Sequence, residues 1–116
     1  MPADRQAHGR YGEDRAAAWY VDQGYTVLAR NWRAGRSGEI DLVVGRGTLV
    51  VVCEVKARSS TTFGQPFEAV NAAKQLRIRR LAAQWLAAHP VRERRDVRFD
   101  VVSVLGGRVE VIEDAF

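Results

Sequence analysis

The sequence contains few cysteines and lysines and no long apolar run. Cys53 is the one cysteine in 116 residues, so an internal disulfide is excluded. No apolar stretch approaches the roughly 18 residues that a membrane-spanning helix requires, and charged side chains interrupt the first ten positions, which argues against a secretory signal. We therefore expect a single domain over residues 1 to 116, without membrane contact and located in the reducing cytoplasm.

Positive charge, by contrast, is plentiful. The chain has 18 basic and 14 acidic residues, a net charge of +4, and an isoelectric point of about 9.8. Residues 72 to 98 alone hold eight basic and two acidic residues, a net charge of +6. Such a run is often only a solvated helix face, but it also suits a phosphate-binding surface. We expect nucleic acid as the partner, with DNA favoured over RNA.

Nearly all of this positive charge is arginine, and Lys56 and Lys74 are the only lysines. An ammonium group is compact and can lose its proton, whereas a guanidinium group keeps its charge. The two lysines are therefore candidates for positions where a site needs a compact cation.

Two helices are predicted from local pattern. The first covers about residues 9 to 23, with Gly24 where a left-handed terminator is expected. The second covers about residues 71 to 88, where apolar residues recur at the i, i+3, i+4, i+7 and i+8 spacing of one helical face.

Five strands are predicted from β-branched and apolar runs bounded by glycine. They cover residues 25 to 30, 39 to 44, 48 to 57, 98 to 105 and 108 to 112, with a polar loop over residues 58 to 65. The predicted fold is α/β, a central mixed sheet flanked by helices in the order α-β-β-β-α-β-β.

Four charged residues lie inside these apolar strands: Glu39, Asp41, Glu54 and Lys56. Burying unpaired carboxylates costs several kcal/mol unless a cation or hydrogen bonds compensate. Because side chains alternate along a strand, Glu39 and Asp41 share one face, and Glu54 and Lys56 share a face of the next strand. A divalent metal ion would supply the compensation.

The register of the hairpin between these strands decides whether the two pairs meet. A two-residue turn at positions 46 and 47 places Glu39 opposite Glu54 and makes Asp41 the diagonal neighbour of Glu54, ~7 Å away at the backbone. Two carboxylates at that separation can converge on one Mg²⁺, with Mn²⁺ as a substitute. Lys56, on the same face as Glu54, could hold or deprotonate the attacking water. The open alternative is a surface pair on an edge strand.

The chain resembles known nucleases at these positions. An acidic strand residue followed by Glu-x-Lys in the next strand resembles the PD-(D/E)-x-K signature, with Ile40 in place of the proline. More closely, the chain resembles the YraN family of small bacterial proteins. The motifs behind that resemblance are Gly9-x-x-Gly12-Glu13 with Ala17, Gly38-Glu39-Ile40-Asp41-Leu42, Glu54-Val55-Lys56-x-Arg58, Phe63-Gly64, Lys74 and Arg98-Phe99-Asp100-Val101.

The resemblance implies a restriction-endonuclease-like core, similar to that of archaeal Holliday-junction resolvases. It implies that Asp41, Glu54 and the main-chain carbonyl of Val55 hold Mg²⁺, with Lys56 as the catalytic lysine and Glu13 joining the active site from the first helix. Candidate nucleic-acid-binding residues are Arg58, Lys74, Arg77 and Arg80.

Two of these residues have simpler alternatives. Glu13 could serve only to favour the positive end of a helix dipole. Lys74 could simply extend its ammonium group to solvent from the inward edge of its helix.

The favoured function is a metal-dependent endonuclease that hydrolyses phosphodiesters in structured or branched DNA with metal-activated water; the substrate class follows from fold analogy alone. Cutting both strands would call for a homodimer. The alternative is a non-catalytic nucleic-acid-binding module that keeps the nuclease fold. A helix-turn-helix regulator is least favoured, because no short partner helix precedes the arginines of the second helix.

Overall fold

The computed structural model describes residues 2 to 58 and 70 to 116, with side chains described for residues 9 to 57 and 70 to 116. The elements are α1 (Pro2–Asp22), β1 (Thr26–Arg33), β2 (Glu39–Arg46), β3 (Leu49–Arg58), α2 (Ala72–Ala88), β4 (Asp96–Leu105) and β5 (Arg108–Ile112). This order is the predicted one. The Phe63-Gly64 motif and most of the predicted polar loop lie outside the described residues.

The five strands form one mixed sheet in the order β1-β2-β3-β4-β5. Strands β3 and β4 are parallel, and the other neighbouring pairs are antiparallel. A parallel pair needs a long crossover, and α2 lies within the one that joins β3 to β4. The predicted α/β class with a mixed sheet is confirmed. Within the described residues, neither helix is both long and apolar enough to cross a bilayer.

In the described part of the chain, one helix packs on each face of the sheet, in keeping with central strands that are apolar on both sides. Helix α1 packs on one face through Ala16, Ala17 and Tyr20, against strand residues that include Leu42 and Cys53. Helix α2 covers the other face with Ile78, Leu81, Ala82 and Trp85, against strand residues that include Ile40, Val43 and Val52. The i, i+3, i+4, i+7 spacing of α2 therefore produced the buried stripe that it predicts.

The turn predicted for the β2–β3 hairpin lies one residue before the observed turn, so the predicted pairing of the two strands is wrong. Arg46 pairs with Leu49, so the two turn residues are Gly47 and Thr48. The reason is conformational: Gly47 has a φ of 60°, and the type II′ hairpin turn puts glycine at its first central position. A turn at positions 46 and 47 would have required that conformation of Arg46.

Strand β2 departs from regular alternation at Asp41. Ile40 belongs to the core under α2, whereas Leu42 belongs to the core under α1, although residues two apart in a strand normally share a face. On the neighbouring strand β1, Asn31 has a φ of 51° between residues that pair regularly with β2. The irregularity therefore falls at the position of the candidate site.

Candidate metal centre

The candidate site lies where strands β2 and β3 stop pairing. The last ladder pair at this end joins Leu42 to Cys53. Just beyond it, the Asp41 carboxylate accepts a hydrogen bond from the backbone N–H of Val55 at 2.9 Å. A side chain thus occupies the place of a ladder acceptor, and Asp41 is held between the two strands as they separate.

Three carboxylates converge next to this gap. Glu13, Glu39 and Asp41 each present an oxygen, and these oxygens lie within 4.8 Å of one another. Glu13 comes from α1, and the other two come from β2. Carboxylate oxygens are hard ligands of the kind that Mg²⁺ prefers, so the donor set fits this ion and Mn²⁺.

Glycine allows α1 to bring Glu13 to the sheet. A Cβ atom on Gly12 would lie 2.7 Å from the Cβ of Ala57 and 3.7 Å from a methyl of Val55. The helix therefore approaches β3 more closely at Gly12 than any larger residue allows. The next residue, Glu13, thereby reaches the acidic cluster. The alternative that Glu13 only favours the positive end of the helix dipole is wrong, because α1 begins at Pro2 and not near residue 9 as predicted, so Glu13 lies well beyond the first turn.

Two polar side chains from β1 bind the cluster. The Asn31 amide donates to Glu13 at 2.9 Å and to Glu39 at 2.8 Å. Arg33 forms an ion pair with the other oxygen of Glu39 at 2.8 Å, from a largely exposed position. Two of the three carboxylates therefore have polar partners from a neighbouring strand.

Asp41 has little compensation for its charge. Burial, together with the carboxylates of Glu54, Glu13 and Glu39, raises its pKa to about 7, against the lowering effect of the Val55 N–H. A carboxyl group so placed binds a proton or a cation near neutral pH. Burial together with like charges at one position is typical of functional sites.

Glu54, a neighbour of Asp41, is paired with both lysines of the chain. Its Oε1 atom lies 3.2 Å from the Nζ of Lys56 and 3.3 Å from the Nζ of Lys74. Only 12% of the Glu54 side chain is exposed. Burial lowers the pKa of Lys56, as does the nearby Lys74, against the opposing effect of Glu54. The two lysines singled out by composition thus meet at one carboxylate.

The candidate nucleic-acid-binding residues on α2 follow one flank of the helix at intervals of three residues. Lys74 is half-buried, whereas Arg77 and Arg80 are exposed. Lys74 and Arg77 line a surface depression of about 390 Å³. The side chain of Arg58 lies outside the described residues.

The structure brings together most of the predicted site. Asp41 and Glu54 are near enough for Glu54 to raise the pKa of Asp41, but the described Oε1 contacts of Glu54 are with the lysines. Val55 contributes its N–H to Asp41, and metal ligation by its carbonyl stays a prediction.

Two contributors were not among the predicted site residues. In the sequence prediction, Glu39 is one of four strand charges and Asn31 has no role. The predicted strand ends at Arg30, so no strand pattern marks Asn31, and the residue-type signal is that asparagine adopts a left-handed backbone more readily than most residues.

A larger cavity, of about 690 Å³, lies at the hairpin end of the sheet, and Gly47, Trp85 and Arg95 are among its lining residues. Arg95 already donates to two carbonyl oxygens at the end of α2, those of His89 and Leu86. The cavity also lies away from the carboxylates. The candidate site is therefore the polar gap between β2 and β3.

The region of the chain that matches known proteins includes this site. A family model described as "Uncharacterised protein family UPF0102" matches residues 12–104. The chain is 50% identical over 101 residues to a UPF0102 protein of Streptomyces coelicolor. The aligned region covers 87% of this chain and 78% of that protein. It is 50% identical over 117 residues to a UPF0102 protein of Frankia casuarinae, with 97% and 98% covered. A similar protein of Acidothermus cellulolyticus is 44% identical over 127 residues, with 97% and 95% covered.

Proposed function

The chain belongs to the uncharacterised protein family UPF0102, and we propose that it is a metal-dependent endonuclease that hydrolyses phosphodiester bonds in branched or otherwise structured DNA. One observation carries the proposal. The half-buried Asp41 carboxylate has three further carboxylates close by, and one of these, Glu54, forms ion pairs with both lysines of the chain. A domain that only binds nucleic acid has no use for clustered acidic groups, because they repel phosphate.

Asp41, Glu13 and Glu39 would hold the ion, with Glu54 as a further ligand on the lysine side. All offer oxygen atoms, in keeping with Mg²⁺ or Mn²⁺. A divalent ion bound there would supply Lewis-acid stabilisation of the charge that develops on the phosphate.

Lys56 is the residue of this chain best suited to act on the reacting groups. Burial and Lys74 both lower its pKa, so its ammonium group gives up a proton more readily than an exposed lysine. Its roles would be to orient the attacking water and to donate to a phosphate oxygen. In the reaction, water adds to phosphorus, the ester P–O bond breaks, and the departing oxygen takes up a proton.

The flank of α2 supports a nucleic-acid substrate. Lys74 stands beside the site, and Arg77 and Arg80 continue away from it on the exposed side of the helix. These side chains could bind successive phosphates and position the nucleic-acid strand next to the carboxylates. The preference for branched DNA rests on analogy with nucleases of similar element order. The buried free thiol of Cys53 is in keeping with a reducing compartment, and we propose that the protein acts in the cytoplasm.

The experiment is a cleavage assay on supercoiled plasmid, single-stranded DNA and a four-way junction, each with Mg²⁺, Mn²⁺ or EDTA. The variants are Asp41→Asn and Lys56→Met, which keep side-chain size but remove the charge. Glu110→Gln, which removes an exposed carboxylate on β5, is the matched control. We expect wild type and the control to cut in Mg²⁺ or Mn²⁺, and both site variants to lose at least ~100-fold in rate.

Cutting that survives both site substitutions, or that persists in EDTA, would rule out this site. Binding that is unchanged by EDTA and occurs without cutting favours the second candidate, a non-catalytic module. Arg77 and Arg80 are exposed, so they could bind phosphate whether or not the carboxylates hold an ion, and this favours the second candidate. In that case, Arg77→Ala with Arg80→Ala should weaken binding and make it less sensitive to salt.

A further inference from the structure

Asn31 joins two of the three clustered carboxylates. Both hydrogens of its amide nitrogen are engaged, one by Glu13 at 2.9 Å and the other by Glu39 at 2.8 Å. Glu13 belongs to helix α1, and Glu39 belongs to strand β2. One side chain of β1 therefore links the two elements from which the acidic cluster is built.

The backbone of Asn31 is unusual for a paired strand. Its φ of 51° is in the left-handed region, which asparagine adopts more readily than most residues. The residues on either side pair regularly with β2, Arg30 with Leu42 and Trp32 with Ile40. Conformations of this kind persist only where the surroundings enforce them, and they concentrate at functional sites.

The neutral Asn31 amide, shared by two carboxylates, suits a metal-ion site better than a positively charged side chain would. Carboxylates that face one another without an ion repel and tend to separate. The Asn31 amide limits that separation and adds no charge that would compete with a bound cation. Arg33, by contrast, neutralises Glu39 from an exposed position and does not contact Glu13 among the described interactions.

We propose that Asn31 is a positioning residue that holds Glu13 and Glu39 at a separation suited to a divalent cation, and so sets the cation affinity of the site. The inference rests on the proposed function, because it requires that the cluster binds an ion. Removing a residue that orients metal ligands typically weakens metal affinity by about 10- to 100-fold, and this is the range expected here.

Asn31→Gly is the decisive variant, because glycine adopts the left-handed conformation without strain and only the amide is lost. Asp114→Gly is the matched control. Asp114 is the other described non-glycine residue with a positive φ, 54°, and its N–H, which donates to Asp100, is kept. The dissociation constant for Mn²⁺ is measured by isothermal titration calorimetry, and thermal unfolding is followed in EDTA.

We expect Asn31→Gly to bind Mn²⁺ about 10- to 100-fold more weakly while still unfolding in EDTA in one cooperative transition, so that the loss of affinity is not a loss of the fold. The control should keep wild-type affinity. In a Glu39→Gln background, Asn31→Gly should cost less affinity than it does alone, because position 39 is then no longer an anionic ligand that Asn31 can hold in place.

Three results would overturn the inference. Wild-type affinity in Asn31→Gly overturns it and leaves the proposed function intact. An equal loss in Asp114→Gly, or effects of Asn31→Gly and Glu39→Gln that simply add, would assign the change to the backbone and overturn it as well. Failure of the wild-type protein to bind Mn²⁺ would overturn the proposed function, and this inference with it.

Discussion

Two aspartates, Asp41 on β2 and Asp100 on β4, lie in the same sheet with opposite surroundings. Asp100 is fully buried and accepts hydrogen bonds from the Tyr20 hydroxyl at 2.6 Å, from two nitrogens of Arg98 at 2.9 Å, and from the N–H of Asp114 at 3.1 Å. Asp41 is less buried, accepts one described hydrogen bond, and faces other carboxylates. The more buried aspartate is therefore the better compensated one.

This difference separates a structural carboxylate from a candidate for the proposed metal site. The donors around Asp100 fill its oxygens and include a counter-ion, so its negative charge stabilises the fold and has no need of a ligand. The neighbours of Asp41 add negative charge, so the fold carries an electrostatic cost that only a proton or cation relieves. Burial alone would rank Asp100 above Asp41 as a site candidate, whereas their neighbouring charges rank Asp41 first.

The largest expected effect is the loss of the compensated carboxylate. Asp100→Asn should lower the free energy of unfolding by about 3–5 kcal/mol, because Arg98 would keep its charge in a largely buried position without its main partner. Urea denaturation at neutral pH measures this. Asp41→Asn in EDTA is the control and should not destabilise. Similar losses in both variants would remove the distinction between the two aspartates.

Next in size is the effect of metal loading. Mn²⁺ at 100 times its dissociation constant should raise the free energy of unfolding of the wild type by about 2.7 kcal/mol. Asp41→Asn should show no such increase. A mild variant of the compensated network, Tyr20→Phe, should keep it, because that network takes no part in ion binding. Urea denaturation with Mn²⁺ or EDTA gives the comparison, and an undiminished increase in Asp41→Asn would place the ion elsewhere.

The smallest effect is the pH dependence that Asp41 imposes without metal. Its folded-state pKa, about 7, is above the ordinary 3.8, so the folded protein holds this proton more tightly than the unfolded chain. In EDTA this contribution favours folding at low pH and is lost as pH rises from about 4 through 7, by on the order of 2 kcal/mol after solvent screening.

Asp41→Asn lacks this ionisation, so above pH 7 it should be more stable in EDTA than the wild type. The measurement is the difference in unfolding free energy between the two proteins across this range. A difference that stays constant from pH 4 to 8 would contradict the assigned environment of Asp41.

The elements of the fold follow from local pattern. The apolar spacing of α2 and the β-branched runs of β2, β3 and β4 give the observed order, and β5 has its predicted bounds. The hairpin register could have been predicted from residue types, because of the two possible turns, Arg46-Gly47 and Gly47-Thr48, the second has glycine at the first central position, as a type II′ turn requires. The positive φ at the first position favours the second.

The candidate site was only partly predictable. Alternation correctly places Glu54 and Lys56 together, and composition draws attention to Lys74. Alternation could not predict how Asp41 lies, because the strand is irregular there and its side chain occupies the gap toward Val55. The roles of Asn31 and Gly12 depend on a backbone conformation and on a close packing distance, and neither has a periodic signal.

The position of Cys53 makes the opening of the sheet chemically observable. This thiol lies on the central strand, 1% exposed and packed under α1, and burial raises its pKa well above the ordinary range. Alkylating reagents attack the thiolate, so they modify Cys53 only when α1 lifts from β3 or the whole domain unfolds. Because no second cysteine competes, the labelling rate reports these openings, and a rate faster than global unfolding allows reports the lifting of α1. An ion held by both Glu13 and Asp41 would tether the helix to the sheet and slow the labelling.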